Sequence, residues 1–431
     1  MKAGVDDGGD GAIIVPLLVG HRDGDGIVDC KDDDHGFVSG STSFFKTCFN
    51  SVNALAGVGI LSLPHAVSSG GWLSLIFFFL IAGSTYYTAL LIKRCLDMDK
   101  NLRSYSDIGG RAFGSKGRAI VSIATNIELY LVATGFLILE GDNLYDLFPD
   151  IEYNIGGLVL GGRKSFIVII GFLLLPTVWL NNMSILSYIS ATGVMASFVL
   201  IGSVLWAAVF DGIGFRGKGT FVNLKGFPIA LSLYAFCYCA HPVFPILYNS
   251  MKDQKKFSKV MLVCFLVTTT SYAFMAVLGY LMFGSKVASQ VTLNLPTSKT
   301  SSKVAIYTTL VNPFAKYALM LKPVISALEN HLTSCPNRGL SILIRTGLVL
   351  STIIVAVAIP FFGYLMSLVG AFLSVSASII LPCVCFLKIS GSYRRVGFEM
   401  VLIWVIVSVG FVILVFGTYT ALDEIIEHLL Q

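Results

Sequence analysis

The sequence predicts an all-α polytopic membrane protein of eleven transmembrane helices. Ten of them form two inverted repeats of five, with helices one and six broken, and one helix is added outside the repeat. Three observations carry this expectation. After residue 43, mostly apolar stretches of about 20 residues recur, each long enough at 1.5 Å per residue to cross a hydrocarbon core. Only 13% of the 431 residues are charged, against about 25% in soluble domains. Helix-interrupting residues gather in two spans that lie five spans apart, the pattern left by inverted repeats around a midplane site.

The first 43 residues stand apart from this. They hold nine acidic side chains, from Asp6 to Asp34, against Lys2, Arg22 and Lys31. They are rich in Asp and Gly and have no sustained apolar period, so they read as a disordered acidic tail. The basic n-region and apolar h-region of a cleaved signal peptide are missing from it. An apolar island at 13–18 ends in a dileucine, but the position four before Leu17 is not acidic, which makes it a poor sorting signal.

The spans expected from apolar length are 44–66, 72–92, 119–147, 166–181, 185–210, 227–250, 258–283, 304–329, 341–360, 362–387 and 399–420. Residues 44–210 then form the first repeat, 227–387 the second, and 399–420 the extra helix. The loops after the second, sixth, eighth and tenth spans carry sixteen Lys and Arg residues, against eight in the opposite loops. That bias puts the N-terminal tail in the cytosol. The sequon at Asn182 falls on the same side and is expected to stay unglycosylated. No run of basic residues points to nucleic acid. The nine cysteines are scattered, and the pairs Cys237/Cys239 and Cys383/Cys385 are spaced to face apart on a helix, so neither a metal site nor a disulfide framework is expected.

The two interrupted spans are the centre of the reading. In the first, Gly57, Gly59 and Pro64 sit where they would break a helix, and a break is tolerated in hydrocarbon only where it faces protein, water or a ligand. Asn53 to Ile60, including Ala56, Gly57, Val58 and Gly59, is therefore expected to be unwound. Its free N–H groups and the positive end of the following half-helix would point at an anionic group such as an amino-acid carboxylate. Gly57 and Gly59 equally suit a close helix–helix contact. In the sixth span, Pro242 and Pro245 remove helix donors, so a second break is expected near Cys239 to Pro242, beside His241.

Several motifs, in order along the chain, now point to a family. The run from Gly57 to Ala66 followed by Gly71-Trp72 resembles the first-helix signature of the amino acid/auxin permease family. The stretches at 128–130, 136–143, 241–245, 248–251 and 312–318 resemble its plant vacuolar amino acid transporter branch. One departure is Cys239-Ala240, where a Ser-Gly pair is expected; it leaves the shape of the second break and the side-chain selectivity open. The resemblance covers residue 43 to the end and implies the amino acid/polyamine/organocation transporter fold. It also implies exchange of neutral amino acids for protons across the vacuolar membrane.

Ionisable residues inside the spans cost at least about 2.5–3.5 kcal/mol each to insert, so each is a functional candidate. Glu128 lies ten residues past Arg118, about 15 Å along the helix and near the midplane. It is either a proton carrier or the structural partner of a buried group. Lys316 is similarly deep in the eighth span, with Asn312 one turn before it on the same face. In sodium-coupled members of this fold superfamily the contact between spans one and eight holds sodium. An ammonium there would replace the ion and leave protons to drive transport; alternatively, Lys316 pairs with Glu128 or with carbonyls freed by Pro313. Glu140 and Asp142 lie about 18 Å beyond Glu128 and are expected to be solvated. His241 and His65 are expected to cap carbonyls more than to relay protons, and Tyr130 and Tyr238 either line the substrate pocket or pack.

The sequence is thus expected to encode a monomeric secondary transporter for neutral amino acids in the vacuolar membrane, driven by proton antiport. It is expected to have no enzyme activity, catalytic residues, metal or cofactor. The alternatives are a plasma-membrane proton or sodium symporter of the same fold, or a non-transporting amino acid sensor that signals through the acidic tail. A channel fits paired broken helices less well than either.

Overall fold

In hydrocarbon an unpaired backbone group costs several kcal/mol, so an apolar chain of this kind resolves into helices that satisfy their own donors and acceptors. The computed structural model describes residues 42–430 apart from Val58, 150–152, 156–157, 180–182, 333–337, 360–361 and 392–396. The acidic segment up to residue 41 with its dileucine, the substrate-site candidate Val58, Asn182 of the sequon, and Arg394 and Arg395 fall outside the described residues.

The first span is a pair of helices, α1 (Phe44–Leu55) and α2 (Gly59–Gly70), bent by 47°. There follow α3 (Ser74–Met98), α4 (Tyr105–Leu147), α5 (Gly162–Trp179) and α6 (Met183–Val209). Helix α4 is capped by Ser104 and Asp107 in a reciprocal box and is broken at Gly114, whose φ of +70° only glycine adopts freely. A short antiparallel hairpin, β1 (Tyr153–Ile155) with β2 (Leu158–Leu160), joins α4 to α5 and is the one departure from an all-helical chain among the described residues.

The sixth span comprises α7 (Phe227–Cys237), a 3-10 turn over His241–Val243, and α8 (Phe244–Ser250). Beyond it come α9 (Phe257–Phe283), α10 (Thr300–Leu332) and α11 (Arg338–Ala358). The tenth span is α12 (Phe362–Leu368), a π-helical stretch, and α13 (Leu381–Ser390), and the chain closes with α14 (Phe398–Leu430). Among the described residues, nine of these spans are long and apolar enough to cross a membrane, and the bent α1–α2 pair makes ten. Helix α10, with Lys303, Lys316, Lys322 and Glu329, is long enough but too polar to be counted by composition.

The packing bears the mark of a repeat. Pairing each of the first five spans with the one five later, and exchanging the two sets, maps the larger packing contacts onto one another. Helix α2 packs on α7, α4 on α10, and α5 on α11, each pair its own counterpart. The contacts of α10 with α6 match those of α4 with the tenth span, and those of α1 and α2 with α9 match those of α3 with α7 and α8. Helix α14 lies outside this scheme against α7 and the tenth span.

Three expectations are corrected. The unwound stretch of span one is narrower than Asn53 to Ile60: Asn53 is in the last turn of α1, and Ile60 is already in α2. Pro64 does not break α2, because Gly279 of α9 leaves room for its ring; a methyl group built on Gly279 falls 2.6 Å from Pro64 Cγ. Glu140 and Asp142 are buried rather than solvated. The segment after α9 folds back over them, so that Gln290 donates to Asp142 Oδ2 at 2.8 Å and Thr292 to Asn143 Oδ1 at 2.8 Å, while Arg163 pairs with Asp142.

Candidate functional site

The first break is held open by its neighbours. After α1 ends, the carbonyl of Ala56 has no helical partner, and the ammonium of Lys316, from the middle of α10, donates to it. The Tyr272 hydroxyl of α9 donates to the Leu55 carbonyl at 2.7 Å and accepts from the Gly57 N–H at 3.1 Å. The Gly57 N–H also donates to the Leu55 carbonyl at 2.8 Å, so the hydroxyl braces a tight turn that the backbone itself closes. Helix α2 restarts at Gly59 in close contact with α7: a methyl group there falls 2.8 Å from Cys237 Sγ and 3.3 Å from its Cα.

Asn53 and Asn312 meet at Gly193 of α6. A methyl group on Gly193 would lie 2.5 Å from Asn53 Oδ1 and 3.1 Å from Asn312 Oδ1, and neither oxygen has a hydrogen-bond partner. Both side chains are buried, so this small residue brings two polar groups together beside the first break.

At the second break, the amides of Tyr238 and Cys239 turn back to the carbonyls of Ala235 and Phe236, each at 3.2 Å, before the 3-10 turn begins. Pro242 and Pro245 occupy first-turn positions, where the absent N–H has no helical partner to lose. Helix α4, which carries Glu128, packs against the His241–Val243 turn of this break. Glu128 is 1% exposed; its Oε1 accepts from Ser374 Oγ at 2.7 Å, and its Oε2 has no partner among the described residues. Glu128 and Lys316 thus form hydrogen bonds with other groups and not with each other.

The other predicted site residues turn away. Tyr130 donates to Ser351 of α11 at 3.1 Å, because two residues along a helix rotate its side chain about 200° from that of Glu128. Tyr238 reaches Thr269 of α9 at 2.9 Å, and its ring lies parallel to Phe265. His241 points at span two: Nε2 lies 3.1 Å from the Thr85 carbonyl and 2.9 Å from Thr88 Oγ1. A carbonyl only accepts, so the ring proton is on Nε2, and the histidine serves as a cap for Thr85. These three residues are in the scaffold around the breaks in this conformation. Sequence reasoning missed Tyr272, Ser374 and Gly193. A tyrosine in the middle of an apolar span needs a hydroxyl partner, which is the signal that marks Tyr272.

Comparison with known proteins identifies the family. The family described as "Transmembrane amino acid transporter protein" matches residues 40–422. The Arabidopsis thaliana protein "Amino acid transporter AVT1J" is 58% identical over 90% of this chain and 92% of its own, and AVT1I of the same plant is 54% identical over 90% and 96%. A Xenopus tropicalis "Vesicular inhibitory amino acid transporter" is 25% identical over 94% and 83%. Among solved structures, a Na+-coupled sialic acid symporter in a substrate-bound, outward-open state shares the fold, with a TM-score of 0.52 at 12% identity over 87% of this chain and 89% of its own. With the family matched along nearly the whole described fold and two broken spans facing each other at its centre, this chain belongs to the transmembrane amino acid transporter family, whose members are transporters and not enzymes.

Proposed function

We propose that the chain exchanges neutral amino acids for protons across the vacuolar membrane by alternating access, with its N-terminus in the cytosol. In this reading all eleven spans cross, α10 included, as a monomer whose repeats are 44–210 and 227–387. The substrate carboxylate meets the positive N-terminal end of α2 where it restarts at Gly59 after the break, and the substrate amine meets the carbonyl-rich turn at Cys239. Glu128 carries the proton, and Asn53 and Asn312 line the approach beside Lys316.

The observation that carries this reading is the Lys316 ammonium on the Ala56 carbonyl. A fixed positive charge at the contact of spans one and eight neutralises the partial negative charge that a released carbonyl presents, which is the work a bound cation would do. With that position filled by protein, a buried carboxyl is left to couple transport. Glu140, with neither oxygen bonded among the described residues, lies about 18 Å along the helix from Glu128. Glu128, on the helix that packs against the span-six turn and with its second oxygen free among the described residues, is the one at the breaks. The relatives named as AVT1 amino acid transporters support the substrate class.

The test is labelled amino-acid uptake into proteoliposomes, with the proton gradient and sodium imposed separately, for wild type, Glu128→Gln and Lys316→Ala. Uptake that follows an opposing proton gradient, ignores sodium and is lost in Glu128→Gln supports the proposal. Sodium-driven uptake by the wild type would replace it with a symporter.

A further inference from the structure

Span ten leaves α-helical geometry over Val369–Ser374 and again over Ser376–Ile380, where the backbone pairing widens to π-helical. Widening of this kind is usually a single turn and concentrates at functional sites. Here two stretches adjoin with only Val375 between them, and Ser374 and two of the widened carbonyls bond to other spans. Ser374 donates to Glu128 at 2.7 Å, Thr88 of α3 donates to the Ser378 carbonyl at 2.7 Å, and Tyr105 at the start of α4 donates to the Ala377 carbonyl. The first stretch packs against α7 and the second against the His241–Val243 turn of span six.

We propose that Ser374, held by the π-helical turn of span ten, is the positioning residue that sets when Glu128 loads its proton. This rests on the reading of Glu128 as the proton carrier. A carboxylate that accepts a hydroxyl hydrogen bond is favoured in its charged form, and Ser374 is the side-chain donor that reaches Glu128 among the described residues. The other titratable groups around it are Cys239 from the span-six break, Lys316 from α10, which adjoins the same Cys239, and Tyr105 from the start of α4, which Cys383 and Cys385 of α13 approach. None of them forms an ion pair with Glu128 among the described residues. Because the stretch that holds Ser374 against Glu128 packs on α7, and the stretch after it on the His241–Val243 turn, a movement of span six about its break changes the hydrogen bond that Glu128 receives. Substrate-driven rocking and proton affinity are then linked through one hydroxyl.

The experiment is proton-driven amino-acid uptake into proteoliposomes as a function of the pH of the proton-rich compartment, for wild type, Ser374→Ala, Ser374→Thr and Glu128→Gln. Loss of a hydrogen bond to a charged group should move the half-maximal pH of Ser374→Ala upward by about one unit. Ser374→Thr, which keeps the hydroxyl, should restore the wild-type profile. If Ser374→Ala keeps the wild-type profile while Glu128→Gln loses proton-driven uptake, the role given to Ser374 is wrong and Glu128 remains the carrier. If Glu128→Gln keeps proton-driven uptake with the wild-type profile, the carrier reading fails and the role of Ser374 falls with it.

Discussion

Removing a single oxygen tests whether the first break is held open by its surroundings. Tyr272→Phe keeps the ring in its aromatic cluster with Tyr238, at 5.9 Å between centroids, and deletes the hydroxyl that joins the Leu55 carbonyl and the Gly57 amide. Each hydrogen bond contributes about 1 kcal/mol net, and each buried group left unsatisfied costs about 1–3 kcal/mol. The Gly57 N–H still donates to the Leu55 carbonyl at 2.8 Å, so neither group is left without a partner and the loss should be about 1–2 kcal/mol. With an unfolding entropy of about 0.8 kcal/mol per kelvin for a chain of this size, the melting temperature in detergent should fall by about 1–3 °C. Tyr238→Phe is the matched control: it removes one contact, to Thr269, whose hydroxyl is able to turn back to its own helix, so the cost should be about 1 kcal/mol or less. Uptake should fall further in Tyr272→Phe than in Tyr238→Phe, by about tenfold for each 1.4 kcal/mol of break geometry lost. Equal melting temperatures for the two variants would sink the argument that this hydroxyl stabilises the break.

Three other changes probe the same architecture. Gly193→Ala drives a methyl group into Asn53 and Asn312 and should cost about 1–3 kcal/mol by overpacking, whereas Gly83→Ala on α3, with nothing within 4 Å, should gain about 0.5–1 kcal/mol; paired thermal melts read the difference. Gly59→Ala should cost a similar amount against Cys237, and Cys237→Ala should recover part of it, since it removes the sulfur 2.8 Å from the new methyl group but leaves the backbone carbon at 3.3 Å in place. Gln290→Ala strips a donor from Asp142 and an acceptor from Asn143, so amide hydrogen exchange over the segment that follows α9 should accelerate about tenfold or more, with the spans themselves unchanged.

The spans and the position of both breaks were legible because they depend on local chemistry: apolar length for the one, proline and glycine for the other. Pro242 and Pro245 name the second break almost unaided. The extent of the first was overdrawn, since nothing local says that helix α1 continues through Asn53 or that α9 accommodates Pro64. Glu140 and Asp142 show the limit of reasoning from depth alone. Their position along α4 places them near an interface, but both are buried: a segment almost 150 residues later brings Gln290 to Asp142 and α5 brings Arg163 to it, while Glu140 is enclosed with neither oxygen bonded among the described residues. The partners of Glu128 and Lys316 were similarly out of reach. Two charges at matching depth invite an ion pair, yet hydrogen bonds from Ser374, and to Ala56, come from spans whose rotation no periodicity reports. The π-helical stretch has no sequence signature, and its serines read equally well as small residues at a helix contact.

The repeat gives these two bonds a common meaning. Spans three and eight are counterparts, as are spans one and six, and each of the third-position spans brings one ionisable side chain to the opposite half's break region. Lys316 of span eight serves the break of span one, where unwinding leaves a carbonyl exposed, and a positive group is what a carbonyl accepts. Glu128 of span three lies by the break of span six, and its hydrogen bond comes from span ten, the counterpart of the span that brings Gly193 to Asn53 and Asn312. Counterpart spans of the two halves therefore carry a cation and a carboxylate, one bonded to the span-one break and the other on the helix that packs against the span-six turn. Of these, the ammonium is already bound to backbone, and its displacement would strand a carbonyl at a cost of about 1–3 kcal/mol. The carboxylate has one oxygen free. If the repeat is the origin of alternating access, the half with the satisfied charge supplies a stable site wall and the half with the unsatisfied one supplies the group that changes state. Exchanging the pair, Glu128→Lys with Lys316→Glu, should then abolish coupled uptake although total charge is conserved, because a carboxylate facing the Ala56 carbonyl repels where the ammonium donates.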